Sequence, residues 1–404
     1  MDDAAKERLV RDGFGASSSL SVAAWRSLPR CSAVLLRRDG HALTARATCW
    51  CPVILRDLVP PEMVVAARRA VNSAIGAAYH SSVRPLRPAE LEKVGEDPRA
   101  ALASAAGGSP EVTGLLNETG VREAVEDALG RPIPDAATGQ VALLFPNTAI
   151  NLSNPSPQTE ESIGQAGYAN KDIPFFGWSG HLDGMWSGGT PPPQTAEEVD
   201  WDEWYSEPGT NRAPMWADPE TKRISVSNFT ALIGIPLSDQ SEEGCGNLGL
   251  LPGGCHAYEQ LFQRQAAAGS VLGPEGVDWP RVDRDCPNKH GLNYMPDYVR
   301  EKFPGNLGSR SFDGKNWPKP ELIKVRPGDA VVVLHACPHG ASINEAADPR
   351  YMIYFRVTSS LRDEIGRAEA LTNIWAEWEG CAEQVAAHRS RQQQQSGGAA
   401  GAKL

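Results

Sequence analysis

The pattern of apolar and polar residues changes character twice along this chain. Residues 42–55 are apolar and partly β-branched, and read as a strand. Pro60 and Pro61 then open a helix through about residue 78, because proline suits a first helical turn and the apolar residues that follow recur at helical spacing. Further helices are predicted over 88–106 and 118–130, the second stopped by Gly130 ahead of Arg131-Pro132. From Gln140 the period shortens. Strands are predicted at Val141–Phe145, Ile224–Val226, Ala231–Pro236, Leu248–Leu251, Leu322–Val325, Ala330–Leu334 and Tyr351–Thr358, divided by Gly and Pro turns. Residues 362–390 read as a closing helix. Helices followed by many short strands indicate a β sandwich or barrel buttressed by helices. No internal repeat is visible.

Two stretches interrupt the pattern. Residues 185–222 carry Trp186, Trp201, Trp204, Tyr205 and Trp216 among prolines, glycines and acids, and residues 257–320 are rich in polar, Gly and Pro residues. Long irregular insertions in a compact domain tend to be lids or binding loops. Trp186, Trp201 and Trp204 are therefore candidate substrate contacts, the alternative being that they staple the loop to the body. The organisation expected is a loosely ordered arm over 1–40, a single domain over 41–391 and a flexible tail over 392–404. Within that domain the helical part runs to about 139, the strand-rich core spans about 140–360 and the closing helix about 362–390.

Composition narrows the class. With 404 residues, 41% hydrophobic and 22% charged, the chain can bury a large core. A net charge of −11 argues against nonspecific binding to nucleic-acid phosphates but leaves room for a local basic pocket. No stretch has the length of a membrane span, and the N-terminus, Met1-Asp2-Asp3-Ala4-Ala5-Lys6-Glu7, is too acidic for a secretory signal. The eight cysteines, at 31, 49, 51, 245, 255, 286, 337 and 381, form no paired Cys-x-x-Cys units, so free thiols in a reducing compartment are expected rather than structural zinc. Cys49 and Cys51 share a strand face and read as two buried thiols, with a redox pair as the alternative.

The candidate chemistry centres on His181-Leu182-Asp183, with His339 and Arg350 far downstream. Two imidazoles and a carboxylate form the facial triad that holds non-haem Fe(II) and leaves coordination positions open. On an extended strand His181 and Asp183 share one face, and Leu182 turns away toward core or pocket wall. His335 competes with His339 for the third ligand position. Arg350 offers a fork of donors that matches a carboxylate and stays charged when buried, and Arg356, on the same strand phase, is a weaker candidate for that role.

The surroundings of these residues carry a resemblance. Gly177-Trp178-Ser179-Gly180-His181-Leu182-Asp183-Gly184 is followed by Gly234–Asp239, then by Cys245-Gly246-Asn247-Leu248-Gly249-Leu250-Leu251-Pro252-Gly253-Gly254-Cys255-His256. Next come Arg326-Pro327-Gly328-Asp329 with its apolar strand, and His339-Gly340-Ala341-Ser342-Ile343-Asn344 with Arg350. This ordered set, over roughly residues 140–360 with a weaker match near 40–75, resembles the phytanoyl-CoA dioxygenase family of Fe(II)/2-oxoglutarate oxygenases.

The resemblance implies a mainly β fold with flanking α, a double-stranded β-helix (cupin-like jelly roll) with buttressing helices. It implies Fe(II) on His181, Asp183 and His339, with the cosubstrate 2-oxoglutarate on Arg350, O2 as oxidant and ascorbate as a candidate reductant. It favours His339 over His335, because the family's distal ligand directly precedes Gly and its arginine follows about eleven residues on. His256 matches the family's turn rather than a ligand, and Asn344 is expected to order the turn near the distal ligand. Where the family often has Ser directly after His-Gly, this chain has Ala341, so Ser342 takes over that contact or the contact is absent.

The implied reaction is hydroxylation of a small organic substrate or acyl-CoA with release of succinate and CO2. Asp183 itself favours hydroxylation or a related oxidation, since related halogenases carry a small residue there. Other substrate classes (a natural product, a phosphonate, a nucleobase), a non-catalytic binding protein and a metal-dependent isomerase of the same architecture stay open. No nucleic-acid or membrane partner is expected. Ala402-Lys403-Leu404 resembles a peroxisomal address, which implies an import receptor as partner and a peroxisomal location, with the cytoplasm as the alternative.

Overall fold

The computed structural model describes residues 52–80, 103–146, 180, 182–183, 217–218, 223–224, 229–270, 272–273, 276–279, 295–303, 305–310, 316–318, 320–342, 344–386 and 389–390. The arm over 1–40, the tail over 392–404, His181, Trp186, Trp201, Trp204 and most of the predicted 88–106 helix lie outside these residues.

The chain enters through β1 (Val53–Leu55) and α1 (Pro61–His80), then α2 (Pro110–Asn117), α3 (Gly120–Leu129) and β2 (Gln140–Leu144). After β3 (Ala217–Asp218) and β4 (Arg223–Ile224) come β5 (Ala231–Pro236), β6 (Leu248–Leu250), α4 (Gly254–Ala267) and α5 (Asp297–Arg300). Then follow β7 (Gly305–Arg310), β8 (Asn316–Pro318), β9 (Glu321–Leu322), β10 (Ala330–Leu334), β11 (His339–Ala341), β12 (Arg350–Val357) and α6 (Leu361–Thr372).

Five strands form one sheet in the order β1-β10-β5-β12-β2, and three form another in the order β11-β6-β9. Every pairing in both is antiparallel. β3 with β4 and β7 with β8 make two separate hairpin ladders. The central strands β5 and β10 are buried at every residue, which explains why they read as continuous apolar runs. The turn before β10 is fixed by Asp329. Its carboxylate pairs with Arg56 and accepts the Arg326 N–H at 2.9 Å, which seats β10 beside β1.

Side-chain alternation gives the large sheet two distinct faces. The register pairs Met352 with Pro236, Tyr354 with Gly234 and Arg356 with Leu232, so Arg350, Met352, Tyr354 and Arg356 share a face. Tyr351 belongs to the other face. Its hydroxyl donates to Asn72 Oδ1 at 2.9 Å and its ring lies under Arg68, so α1 covers that side. α1 reaches it through Val64, Ala67 and Val71, all buried at helical spacing. α3 begins where Thr119 Oγ1 accepts the Val121 N–H at 3.3 Å and stops at Gly130, in the left-handed region with φ 73°.

Two expectations are corrected. The stretch 257–320 was expected to be irregular, yet it contains most of α4, together with α5, β7 and β8. Cys255, Tyr258, Leu261, Phe262 and Gln265 lie buried along one side of α4, with Trp279 packed on its two aromatic rings. The closing helix over 362–390 is not continuous. α6 is kinked at Gly366, whose φ is 77°, and ends at Asn373, after which Glu379–Cys381 forms a short 3-10 turn. Cys245, Cys255, Cys337 and Cys381 form no disulfide. Among the described residues no helix is long and apolar enough to cross a membrane.

Candidate functional site

The carboxylate of Asp183 bridges the two sheets. Its Oδ1 lies 3.6 Å from His339 Nε2 on β11 of the small sheet. Its Oδ2 accepts from Arg356 on β12 of the large sheet, at 2.8 Å from Nε and 2.6 Å from a terminal nitrogen. Leu182, next to it, is buried in the core. His181 lies outside the described residues, and among those residues no group of three or more His, Cys, Asp or Glu is gathered as a metal cluster.

Sequence and packing explain why His339 faces this carboxylate. Leu251 N–H donates to the Pro338 carbonyl at 3.0 Å, which ties the loop before β11 to the end of β6. A Cβ on Gly254 would come 2.6 Å from Pro338 Cδ, so the Pro252-Gly253-Gly254 turn can press against this loop only with glycine there. His339 Nδ1 lies 3.0 Å from the Cys337 carbonyl, which can only accept. Nδ1 therefore donates to that carbonyl, and Nε2 is the ring nitrogen that faces Asp183. Donors to one ion at about 2.0–2.2 Å each lie about 3–4 Å apart. The observed spacing of Nε2 and Oδ1, and the tautomer set by Cys337, fit a divalent metal.

His335 stands in a different environment. It is buried. Burial, reinforced by the positive charge of Arg362, pushes its pKa down to about 3, so the ring is neutral. His256 Nδ1 contacts Glu259 Oε2 at 3.2 Å within α4.

Arg350 occupies the same face of β12 as Arg356. Its side chain is buried, 3% exposed, and donates to the Tyr354 hydroxyl and, at 3.4 Å, to Gln240 Oε1. Among the described residues it forms no ion pair with a carboxylate. A buried guanidinium whose partners among the described residues are neutral suits an anionic ligand, because burying an unpaired charge is costly. Burial raises the Tyr354 phenol above its usual range, against the opposing influence of Arg350, so its hydroxyl stays protonated beside the guanidinium.

Gly246 makes room for Arg350. It has φ 70°, and a Cβ there would come 3.1 Å from both Arg350 Cδ and Leu144 Cδ2. Asn247 locks this turn, donating to the Gln240 carbonyl at 2.9 Å while its Oδ1 accepts the Cys245 N–H at 3.1 Å.

Ser342 follows β11, buried, with its N–H donating to the Asn247 carbonyl at 2.9 Å. Alternation puts Ala341, not Ser342, on the His339 face of β11. Asn344 donates to the carbonyls of Leu144 and Asp348, and so ties the turn before β12 to the end of β2. Tyr354, Gln240 and Gln140 were not singled out from sequence. The signal for Tyr354 is present in β12, where counting by twos from Arg350 reaches it before Arg356.

No known family profile matches the chain, and no curated protein matches it in sequence. Among solved structures it is similar to AviO1 from Streptomyces viridochromogenes Tue57, at 13% identity over 76% of this chain and 90% of that one, with a TM-score of 0.33. It is similar to the non-heme alpha ketoglutarate dependent carbocyclase SnoK from nogalamycin biosynthesis, at 12% identity over 76% and 79%, with a TM-score of 0.35. HygX from Streptomyces hygroscopicus with nickel and 2-oxoglutarate bound gives 12% identity over 76% and 83%, with a TM-score of 0.31. At such scores and identities these likenesses carry no weight for fold or chemistry, which rest on the side chains described above.

Proposed function

We propose that this chain is an Fe(II)- and 2-oxoglutarate-dependent dioxygenase that hydroxylates a small organic substrate on a double-stranded β-helix. The observation that carries the proposal is the joint placement of Asp183 and His339, 3.6 Å apart between two antiparallel sheets, with Arg350 buried on the facing strand without a carboxylate partner among the described residues. His181, Asp183 and His339 would hold the iron. Bound there, the metal supplies the oxygen chemistry that couples decarboxylation of 2-oxoglutarate to substrate oxidation.

The chain's own residues supply placement and exclusion. The Cys337 carbonyl accepts from Nδ1 of His339, so that Nε2 is the nitrogen presented to the metal. Arg350 would bind the far carboxylate of the cosubstrate through its forked donors, with the Tyr354 hydroxyl alongside. Met352 and Leu250, buried beside these groups, help keep water from the reacting centre. Trp186, Trp201 and Trp204 are proposed substrate contacts, and acyl-CoA thioesters, natural products and phosphonates are the substrate classes to compare.

The test is succinate release from purified protein supplied with Fe(II), 2-oxoglutarate, ascorbate and each substrate in turn. Stoichiometric succinate and hydroxylated product are expected with one class, and His339→Ala should abolish both. Turnover that proceeds without 2-oxoglutarate, or is unchanged in His339→Ala, would remove the proposal.

A further inference from the structure

We propose that Arg356 is a positioning residue for the metal carboxylate, holding one oxygen of Asp183 so that the other faces the ion beside His339. The inference rests on the proposed role of Asp183 and His339 as metal ligands.

The two carboxylate oxygens are divided between two partners. Oδ2 receives both Nε and a terminal nitrogen of Arg356, at 2.8 and 2.6 Å. Oδ1 is the oxygen 3.6 Å from His339 Nε2. A carboxylate held this way offers one oxygen to a metal. Taking the ion with both would sacrifice two charge-assisted hydrogen bonds. The guanidinium is itself fixed. Its other terminal nitrogen donates to Gln140 Oε1 at 2.7 Å, and its carbon lies 5.7 Å from the Phe229 ring centroid.

The placement of the two residues gives this contact its purpose. Arg356 stands on β12, hydrogen-bonded to strands on both sides, whereas Asp183 lies in a turn. The rigid strand thus steers the carboxylate. Nearby positive charge weakens attraction for a divalent ion, while correct orientation strengthens binding. Supporting partners of metal ligands typically change affinity by about 10–100-fold when removed, which favours orientation as the larger effect. The same contacts separate Arg356 from a cosubstrate role, because its donors to Asp183 are already engaged.

The experiment is Mn(II) binding followed by electron paramagnetic resonance, without 2-oxoglutarate, on wild type, His339→Ala, Arg356→Gln and Arg356→Lys. Thermal unfolding of each metal-free protein is recorded in parallel. His339→Ala should lose binding. Arg356→Gln should bind Mn(II) about 10–100-fold more weakly while its metal-free unfolding stays cooperative, and Arg356→Lys should lie between it and wild type.

Equal or tighter Mn(II) binding in Arg356→Gln overturns the proposal. If Arg356→Gln does not fold, Arg356→Lys decides, because it keeps the charge but lacks the fork, and an unchanged affinity rejects the role. Wild-type affinity in His339→Ala would overturn the metal site itself and this role with it.

Discussion

A single missing Cβ sets the position of Arg350. Gly246 adopts φ 70°, and any side chain there would press on the arginine's own Cβ and Cδ. Gly246→Ala should therefore cost about 1–2 kcal/mol in backbone strain. It should also shift the guanidinium away from Gln240 and Tyr354. The expected outcome is a lower urea midpoint together with a several-fold higher 2-oxoglutarate requirement. An unchanged requirement would separate Gly246 from the cosubstrate site. At this scale the sequence was informative about residue type but not about role. Cys245-Gly246-Asn247 stood out as a motif, yet nothing in it announced that its glycine borders an arginine about a hundred residues away.

At the scale of elements, legibility followed burial. β10 was readable because every side chain in it is apolar and inside, and β12 because its β-branched and aromatic residues lie inside between the two arginines. α4 was missed because Glu259 and Gln265, both buried, interrupt its apolar stripe. Gln265 is tolerated there because its amide is fully used. It donates to the carbonyls of Gly273 and Val277, each at 3.0 Å, and accepts the Gly273 N–H at 2.8 Å.

A second buried polar device holds α6 to the sheet. Arg362 pairs with Glu377 and donates to the Phe229 carbonyl at 3.1 Å, and Glu377 also accepts the Thr230 hydroxyl at 2.9 Å. Glu377→Ala would strand a buried guanidinium, so a loss of about 3–5 kcal/mol in equilibrium denaturation is expected. The double variant with Arg362→Met should recover part of it. A loss below about 1 kcal/mol in the single variant would mean the pair is not a structural tie.

For the whole molecule, two titratable groups, His335 buried and Glu321 half-buried, tilt stability in opposite directions. His335 has its pKa lowered to about 3 in the folded chain from an ordinary 6.5, so the unfolded chain binds its proton first as pH falls. Its contribution erodes stability from about pH 6.5 down toward 3. Glu321 has its carboxyl pushed up to about 7 by burial, against the pull of Lys324. There the folded chain holds the proton, and stability declines as pH rises from about 4.5 to 7. Each slope is at most about 1.4 kcal/mol per pH unit. Denaturation midpoints measured across pH should show His335→Leu flattening the acid limb and Glu321→Gln flattening the neutral limb. Curves parallel to wild type would show that the groups are not buried as described.

The sequence by itself determined the helices flanking strands, the apolar central strands and the order of the metal and carboxylate candidates. These follow from local period and residue chemistry, which need only neighbours in the chain. Only the tertiary structure decided that Asp183 meets His339 from one sheet and Arg356 from the other, that Tyr354 and Gln240 flank Arg350, and that polar side chains sit inside α4 and beneath α6. The contacts of Asp183 with His339 and Arg356, and of Arg350 with Gln240, join residues from about 110 to 173 positions apart. Strand pairing and register set them, and no local pattern encodes which distant side chains will share a face.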